Sequence, residues 1–459
     1  MNKNVRRAVS AIALSSLAAT MASCRQQPQL NAGMNPAVNA QFGRMNAGAS
    51  TNAEMQKVDE AARAGLAAVP GEYNVVMRPG VGAQSLSALG ANVTAKNIAP
   101  TIVTVKTTGA VSAQSDAQFM AQLKSNPNVL AVEPNYIVRL NDPVVNEPAA
   151  DVPRLPAAPN DALFNKQWHH KTIGSVPAWA KQKGSKNILV SIVDTGVDCG
   201  HPDLAANVDT SKTFSAYNDS GCEDMQGHGT HVAGTVAAVT DNQIGVAGVA
   251  PDVTIMSAKV LSNSGSGSYA SVAAGIVASA DAGADIISMS LGGPSNSAVI
   301  TEAIKHAISK GALPVAAMGN DGNERPSYPA AIDGVFSVGA TAINDQRARF
   351  SQYGSHIDIA APGVNIMATF PRNASGMPGK DYGAISGTSM ATPIVSAVAA
   401  LVMSQNPGIS PEQVKTILKA SAVDAGDPGF DKYYGAGIVN AEAALNASPA
   451  GVAAQRVFR

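Results

Sequence analysis

Three short segments carry residue types suited to acyl transfer. Asp194 is followed at once by Thr195-Gly196, His228 lies within Gly227-His228-Gly229-Thr230-His231, and Ser389 stands within Gly387-Thr388-Ser389-Met390-Ala391. A serine hydroxyl is a weak nucleophile until a base takes its proton. Imidazole titrates near neutral pH and can take it, while a buried carboxylate fixes the imidazole tautomer and steadies its cation. Each residue alone has a plainer reading. An Asp at a strand end is commonly a turn former, Ser389 could simply cap a helix, and His231 falls inside an apolar helical stretch and reads as structural. As a set they define a nucleophile, a base and an orienting carboxylate.

The surrounding pattern states what must position them. Continuous apolar runs at 188–193, 253–259, 286–291, 313–318 and 335–338 read as strands buried on both faces. Helical stretches at 271–281 and 298–310 alternate with them, the mark of an α/β domain built on a parallel sheet flanked by helices. Asp194 closes the first run, at the carboxyl edge where such sheets place their sites. An Ala-rich apolar stretch runs from Ser389 to Met403, long enough for a buried helix. A serine at its start meets the positive end of the helix dipole and free N–H groups, both suited to an oxyanion.

The 459 residues exceed one average domain, and 45% apolar residues supply a sizeable core. With 32 basic against 33 acidic residues, the charge is sparse and balanced, so neither nucleic acid nor an anionic membrane surface is expected as a partner. Residues 1–24 read as an export signal: Lys3, Arg6 and Arg7 precede an apolar stretch too short to span a bilayer. Met21-Ala22-Ser23-Cys24 resembles a bacterial lipoprotein box, with Met where Leu is usual, so Cys24 is the expected lipidation site. The alternative is cleavage near Ala22 with an incidental thiol. Export and an even remaining pair suggest a disulfide between Cys199 and Cys222, two free buried thiols being the alternative.

Residues 25–68 are rich in Gln, Asn, Ala, Gly and Met and read as a flexible tether. Residues 69–140 read as a small α+β, ferredoxin-like module with strands at 73–77, 102–105 and 129–136 and an amphipathic helix at 117–124. A Pro-, Asn- and Asp-rich linker fills 141–160, the large domain 161–445 and a tail 446–459.

The segments 190–198, 227–234 and 387–393 each resemble one signature of the subtilisin-like serine proteases, the subtilases, in the right order and over essentially the whole large domain. Asp-Thr-Gly alone is also the aspartic-protease triplet, but a second copy is absent. The lipase pattern Gly-x-Ser-x-Gly does not fit the surroundings of Ser389. The resemblance implies a serine endopeptidase acting on protein or peptide substrates, with Asp194, His228 and Ser389 as triad and no cofactor for catalysis.

It implies further that 69–140, ending in Val-x-x-Val-Glu-Pro-Asn, is an inhibitory propeptide removed by a cut in 141–160. By resemblance to Ala-Ala-Gly-Asn-x-Gly, Asn320 is the oxyanion donor, with Met318 where a small residue is usual. Gly265-Ser266-Gly267 and Ser290-Leu291-Gly292 resemble the substrate-pairing segments, and Ser327 lies near the base of the S1 pocket. Asp203, Asn242, Ile244 and Val246 resemble the ligands of a structural Ca2+ site. The expected product is a monomer, exported as a cell-surface or outer-membrane lipoprotein or free outside the cell after propeptide removal. A catalytically silent relative that binds at the surface is the alternative from another class.

Overall fold

The computed structural model describes residues 51–89, 92–108, 113–141, 151–153, 155–217, 219–373 and 380–447. By contacts the chain divides into 1–49 and 50–459, and every described residue belongs to the second unit. The export signal, Cys24 and most of the expected tether thus lie outside the described residues. Where the composition reads as tether, Thr51–Arg63 forms a helix, α1. Its apolar positions Val58 and Ala61 are buried with Val69 and Ile137, and this burial secures a helix that composition alone does not announce.

The N-terminal module follows as β1 (Ala68–Met77), a 3-10 segment (Ala83–Leu89), β2 (Val93–Ala99), β3 (Ile102–Thr107), α2 (Ala113–Ser125) and β4 (Val129–Arg139). The antiparallel order β2-β3-β1-β4 with two crossovers is ferredoxin-like. Tyr73, Val75, Val103, Val105, Leu123 and Val132 form its core.

The large domain holds a seven-stranded sheet in the order β12-β11-β10-β9-β5-β7-β6, parallel throughout. Its strands are β5 (Leu189–Asp194), β6 (Phe214–Ser215), β7 (Thr254–Lys259), β9 (Ile286–Met289), β10 (Leu313–Ala317), β11 (Phe336–Thr341) and β12 (Ile359–Pro362). β8 (Ser266–Ser268) instead joins the edge of the N-terminal sheet, and β13 (Ile366–Thr369) pairs with β14 (Tyr382–Ile385) as a hairpin. After short helical turns at His169–Thr172 and Ser175–Trp179, the helices are α3 (His228–Ala237), α4 (Tyr269–Asp281), α5 (Ala298–Ser309), α6 (Thr388–Gln405), α7 (Pro411–Ala420) and α8 (Ala441–Asn446).

β5 is buried on both faces, which explains its apolar run, and its one interior polar residue, Ser191, meets Ser279 Oγ at 2.7 Å. Val190 and Ile192 enter one core with α3 and α6, while Leu189 and Val193 enter the other with α4 and α5. α6 is long and apolar enough to cross a bilayer, yet it lies buried as the central helix of the first core. The strand order reverses at β5, so the crevice opens between the carboxyl ends of β5 and β9.

β4 links the two parts. Asn135 Oδ1 accepts from Ala270 N at the start of α4 (3.0 Å). The Glu133 carboxylate accepts from Ala298 N (2.8 Å) and from the Ser297 hydroxyl at the start of α5. Oxygen acceptors thereby satisfy the unpaired first-turn N–H groups of both helices.

Candidate active site

Asp194 ends β5 and His228 begins α3, and both are fully buried. His228 Nδ1 lies 2.7 Å from Asp194 Oδ1, which also accepts from Thr195 N at 2.7 Å. Burial pushes the Asp194 carboxyl upward, opposed by His228 and the Thr195 N–H. Close backbone approach makes this juxtaposition feasible: a Cβ on Gly229 would run into the Gly196 carbonyl oxygen. The two glycines of Asp-Thr-Gly and Gly-His-Gly therefore hold the carboxylate and the imidazole together, and Thr195 Oγ1 accepts from Gly229 N at 2.9 Å.

A second carboxylate, which motif reading missed, organises this corner. Asp224 Oδ1 accepts from Thr195 Oγ1 (2.9 Å), Gly227 N (2.8 Å) and Gln226 N (3.2 Å). Asp224 Oδ2 accepts from Thr230 N (2.9 Å) and Thr230 Oγ1 (2.7 Å). It therefore ties the turn after β5 to the first turn of α3. Beneath it Lys259, wholly buried, donates to Thr195 O (2.5 Å) and Asn263 Oδ1 (3.1 Å), and desolvation lowers its pKa. The only sequence signal for Asp224 was its place four residues before His228.

Ser389 is the second residue of α6. Its Oγ donates to Ser290 O (3.2 Å), and Ser290 Oγ donates to Ser389 O (2.8 Å), so the segment after β9 is laced to the helix start. Asn320, beyond β10, is oriented through its oxygen: Oδ1 accepts from Thr388 N and Thr388 Oγ1, both at 2.9 Å. Its Nδ2 is thereby turned to the cleft, where it donates to Asn141 O at 2.9 Å. Met318 is fully buried within the second core and donates its N–H to Val338 O, so it packs under the cleft instead of narrowing it.

The cleft is lined by Leu291, Gly292, Asn320, Ser327 and Ser389, together with Leu140 and Asn141 of the segment that leaves β4. Gly292 and Ser327 are in close apposition, and a Cβ on Gly292 would meet Ser327 Oγ at 2.5 Å. Gly265-Ser266-Gly267 forms the opposite wall through β8. Ser266, Gly267 and Ser268 pair antiparallel with Arg139, Val138 and Ile137, and Leu140 N donates to Gly265 O at 2.9 Å. Ser389, Asn320, Ser290, Leu291, Gly292 and Ser327 thus line one cleft, while the helix that His228 begins packs against α6 in the same core.

The expected metal residues gather elsewhere, around the loop before Val246. Asp203 Oδ1 accepts from Asn242 Nδ2 (2.6 Å) and Oδ2 from Val246 N (2.9 Å), and burial raises the Asp203 pKa to about 6. Ile244 N donates to Asn242 Oδ1 at 3.0 Å. The sequence reading missed Asp161, whose Oδ2 accepts from Asp241 N (3.0 Å) while Oδ1 is buried with no partner. Two buried carboxylates from separate segments, both hydrogen-bonded to the 241–246 loop and one with an orphaned oxygen, fit a hard cation. Among the described residues no cluster of three or more His, Cys, Asp or Glu could hold a metal, so amide and backbone oxygens would have to complete the shell. Cys199 and Cys222 form a disulfide with Cα atoms 5.0 Å apart.

Comparison with known proteins agrees with this geometry. The subtilase family profile matches residues 185–437. Thermitase from Thermoactinomyces vulgaris is 42% identical over 288 residues, 62% of this chain and 99% of its own length. Subtilisin Savinase from Lederbergia lenta is 46% identical over 257 residues, 56% of this chain and 90% of its own. Among solved structures, fervidolysin from Fervidobacterium pennivorans, a keratinolytic enzyme related to subtilisin, aligns with a TM-score of 0.73 at 27% identity. That alignment covers 83% of this chain and 62% of fervidolysin. The chain belongs to the subtilase family, and it is a serine endopeptidase of the subtilisin kind.

Proposed function

We propose that the chain hydrolyses peptide bonds through Asp194, His228 and Ser389 and is made as a zymogen whose residues 69–140 act as an inhibitory propeptide. The observation that carries this reading is one convergence. Ser389 at the start of α6 and the amide of Asn320 line one cleft, where that amide donates to Asn141 of an extended segment, and the buried Asp194–His228 pair stands at the start of α3, which shares its core with α6.

In the reaction, Ser389 Oγ attacks a substrate carbonyl as His228 takes its proton, and Asp194 holds the imidazole through Nδ1. Asn320 Nδ2 and the N–H groups at the start of α6 receive the developing oxyanion, where preorganised donors act without reorganisation. His228 then protonates the leaving amine, and water releases the acyl group from Ser389. Gly265–Gly267 pairs with the substrate backbone as an added strand, and such pairing, indifferent to side chains, suits an endopeptidase.

Residues 1–24 direct export, and lipid on Cys24 retains the precursor at the membrane. Asp161, Asp203, Asn242 and backbone oxygens of Ile244 and Val246 would hold a structural Ca2+, which would neutralise the buried carboxylates, a role separate from the chemistry. The test is to purify wild type and Ser389→Ala in parallel and record intact mass and casein hydrolysis, with and without a serine-directed phosphonate. Wild type should lose its N-terminal part and digest casein, with Ser389→Ala full length and inert. A folded wild type that stays full length and inert would favour a silent binding relative.

A further inference from the structure

The chain's own β4 and the residues after it border the cleft, and their register is read residue by residue. Ile137, Val138 and Arg139 pair with Ser268, Gly267 and Ser266, and Leu140 N donates to Gly265 O. The carbonyl oxygen of the next residue, Asn141, accepts from Asn320 Nδ2 at 2.9 Å. That amide has no freedom to reverse, because Thr388 occupies Oδ1 with two hydrogen bonds.

The register is also held from outside the cleft. Ile137 is buried against Val58 and Ala61 of α1. Arg139 Nη2 donates to Ala62 O (3.2 Å) and Leu66 O (2.6 Å) beside the end of that helix. A slip of one residue would turn Ile137 to the other face and strip Arg139 of both acceptors. Asp59 of α1 fastens the opposite wall, accepting from Ser262 Oγ and Ser264 Oγ at 2.6 Å each.

From this geometry we infer that the maturation cut falls at the Asn141–Asp142 peptide bond, and that Asp321 reads the Asn141 side chain in the primary specificity position. The inference rests on the proposed roles of Ser389 and Asn320. Asn141 Nδ2 donates to Asp321 Oδ1 at 3.2 Å, beside the oxyanion donor in sequence and in space. Ser389 Oγ forms an ester with the Asn141 carbonyl carbon and passes its proton to His228. The C–N bond to Asp142 breaks as His228 returns that proton to the leaving amine. Water then hydrolyses the ester, leaving an Asn141 carboxylate and a free Asp142 amine.

The test uses the full chain. A time course of wild-type maturation is read at its earliest point by N-terminal sequencing of the large fragment and by the C-terminal peptide of the small one. The expected termini are Asp142 and Asn141. Casein hydrolysis with a first cut at any other bond overturns this inference and leaves the endopeptidase reading standing. A full-length, inert wild type removes both. Ser389→Ala must remain uncut at this bond, since cutting there would assign it to another protease.

The role of Asp321 is read separately with peptide nitroanilides ending in Leu-Asn or Leu-Phe. Because the carboxylate and its partner are solvent-accessible, Asp321→Ala should lower the Asn-to-Phe ratio of kcat/KM about three- to tenfold. An unchanged ratio overturns the assignment of Asp321.

Discussion

Replacing Asp224 with Ala should damage stability and turnover together, for reasons that can be counted. Asp224 is 4% exposed and accepts from three backbone N–H groups and two hydroxyls. The Thr195 and Thr230 hydroxyls can rotate towards other acceptors, whereas the N–H groups of Gln226, Gly227 and Thr230 cannot. Each buried donor left unsatisfied costs about 1–3 kcal/mol, and water entering the vacated space brings the figure to the lower end. The expected loss is about 3–4 kcal/mol, roughly 6 °C in Tm for a domain of this size. Stability should be measured in a Ser389→Ala background, which removes self-digestion.

Turnover suffers by a second route, because Asp224 ties Thr195 to the turn from which His228 projects. A displacement of the imidazole by about 1 Å costs on the order of a hundredfold. Asp224→Ala should therefore lower kcat by about ten- to a hundredfold with KM changed less than about threefold. Asp224→Asn, which keeps one acceptor oxygen, should recover part of both losses. An Asp224→Ala enzyme within twofold of wild-type kcat and within about 1 kcal/mol in stability would refute this account.

Asn320→Ala should lower kcat by about a hundred- to a thousandfold with little change in KM, a magnitude carried over from subtilisin itself; a raised KM with kcat unchanged would point to simple binding. The Cys199–Cys222 bond spans a separation of 23 residues, so by loop entropy the double Ser variant should lose about 3 kcal/mol in urea melts of the Ser389→Ala protein. Chelation by EDTA should lower Tm and Ca2+ restore it, while Asp161→Asn should blunt the response; indifference to EDTA would remove the cation from the loop.

Acid should destabilise the fold through His170, which is fully buried and whose pKa burial lowers from 6.5 to about 3. Its neutral form is the folded one, so its contribution is complete above pH 6.5 and is lost as pH falls from there towards 3. The loss is roughly 1.4 kcal/mol per pH unit and on the order of 5 kcal/mol in all. In urea titrations across that range, His170→Asn in the Ser389→Ala background should show a shallower dependence, and an unchanged slope would sink the assignment.

The sequence by itself was enough to mark the reacting groups and the scaffold type. Asp194 ends a run that is apolar but for Ser191, because a strand covered on both faces admits a polar side chain only where a partner such as Ser279 meets it. The glycines around His228 are legible because only they allow backbones to touch. Such signals are local, carried by residues within a few positions of one another. The tertiary structure decided what depends on distant pieces of chain. Asp224 and Asp161 look like ordinary turn carboxylates until folding surrounds one with five donors and leaves the other with an orphaned oxygen. Helix α1 looks like tether because its composition is polar, and it gains its apolar partners Val69 and Ile137 only through tertiary contact. The placement of Asn141 against Asn320 joins residues 179 apart in the chain, a distance over which no spacing rule reaches.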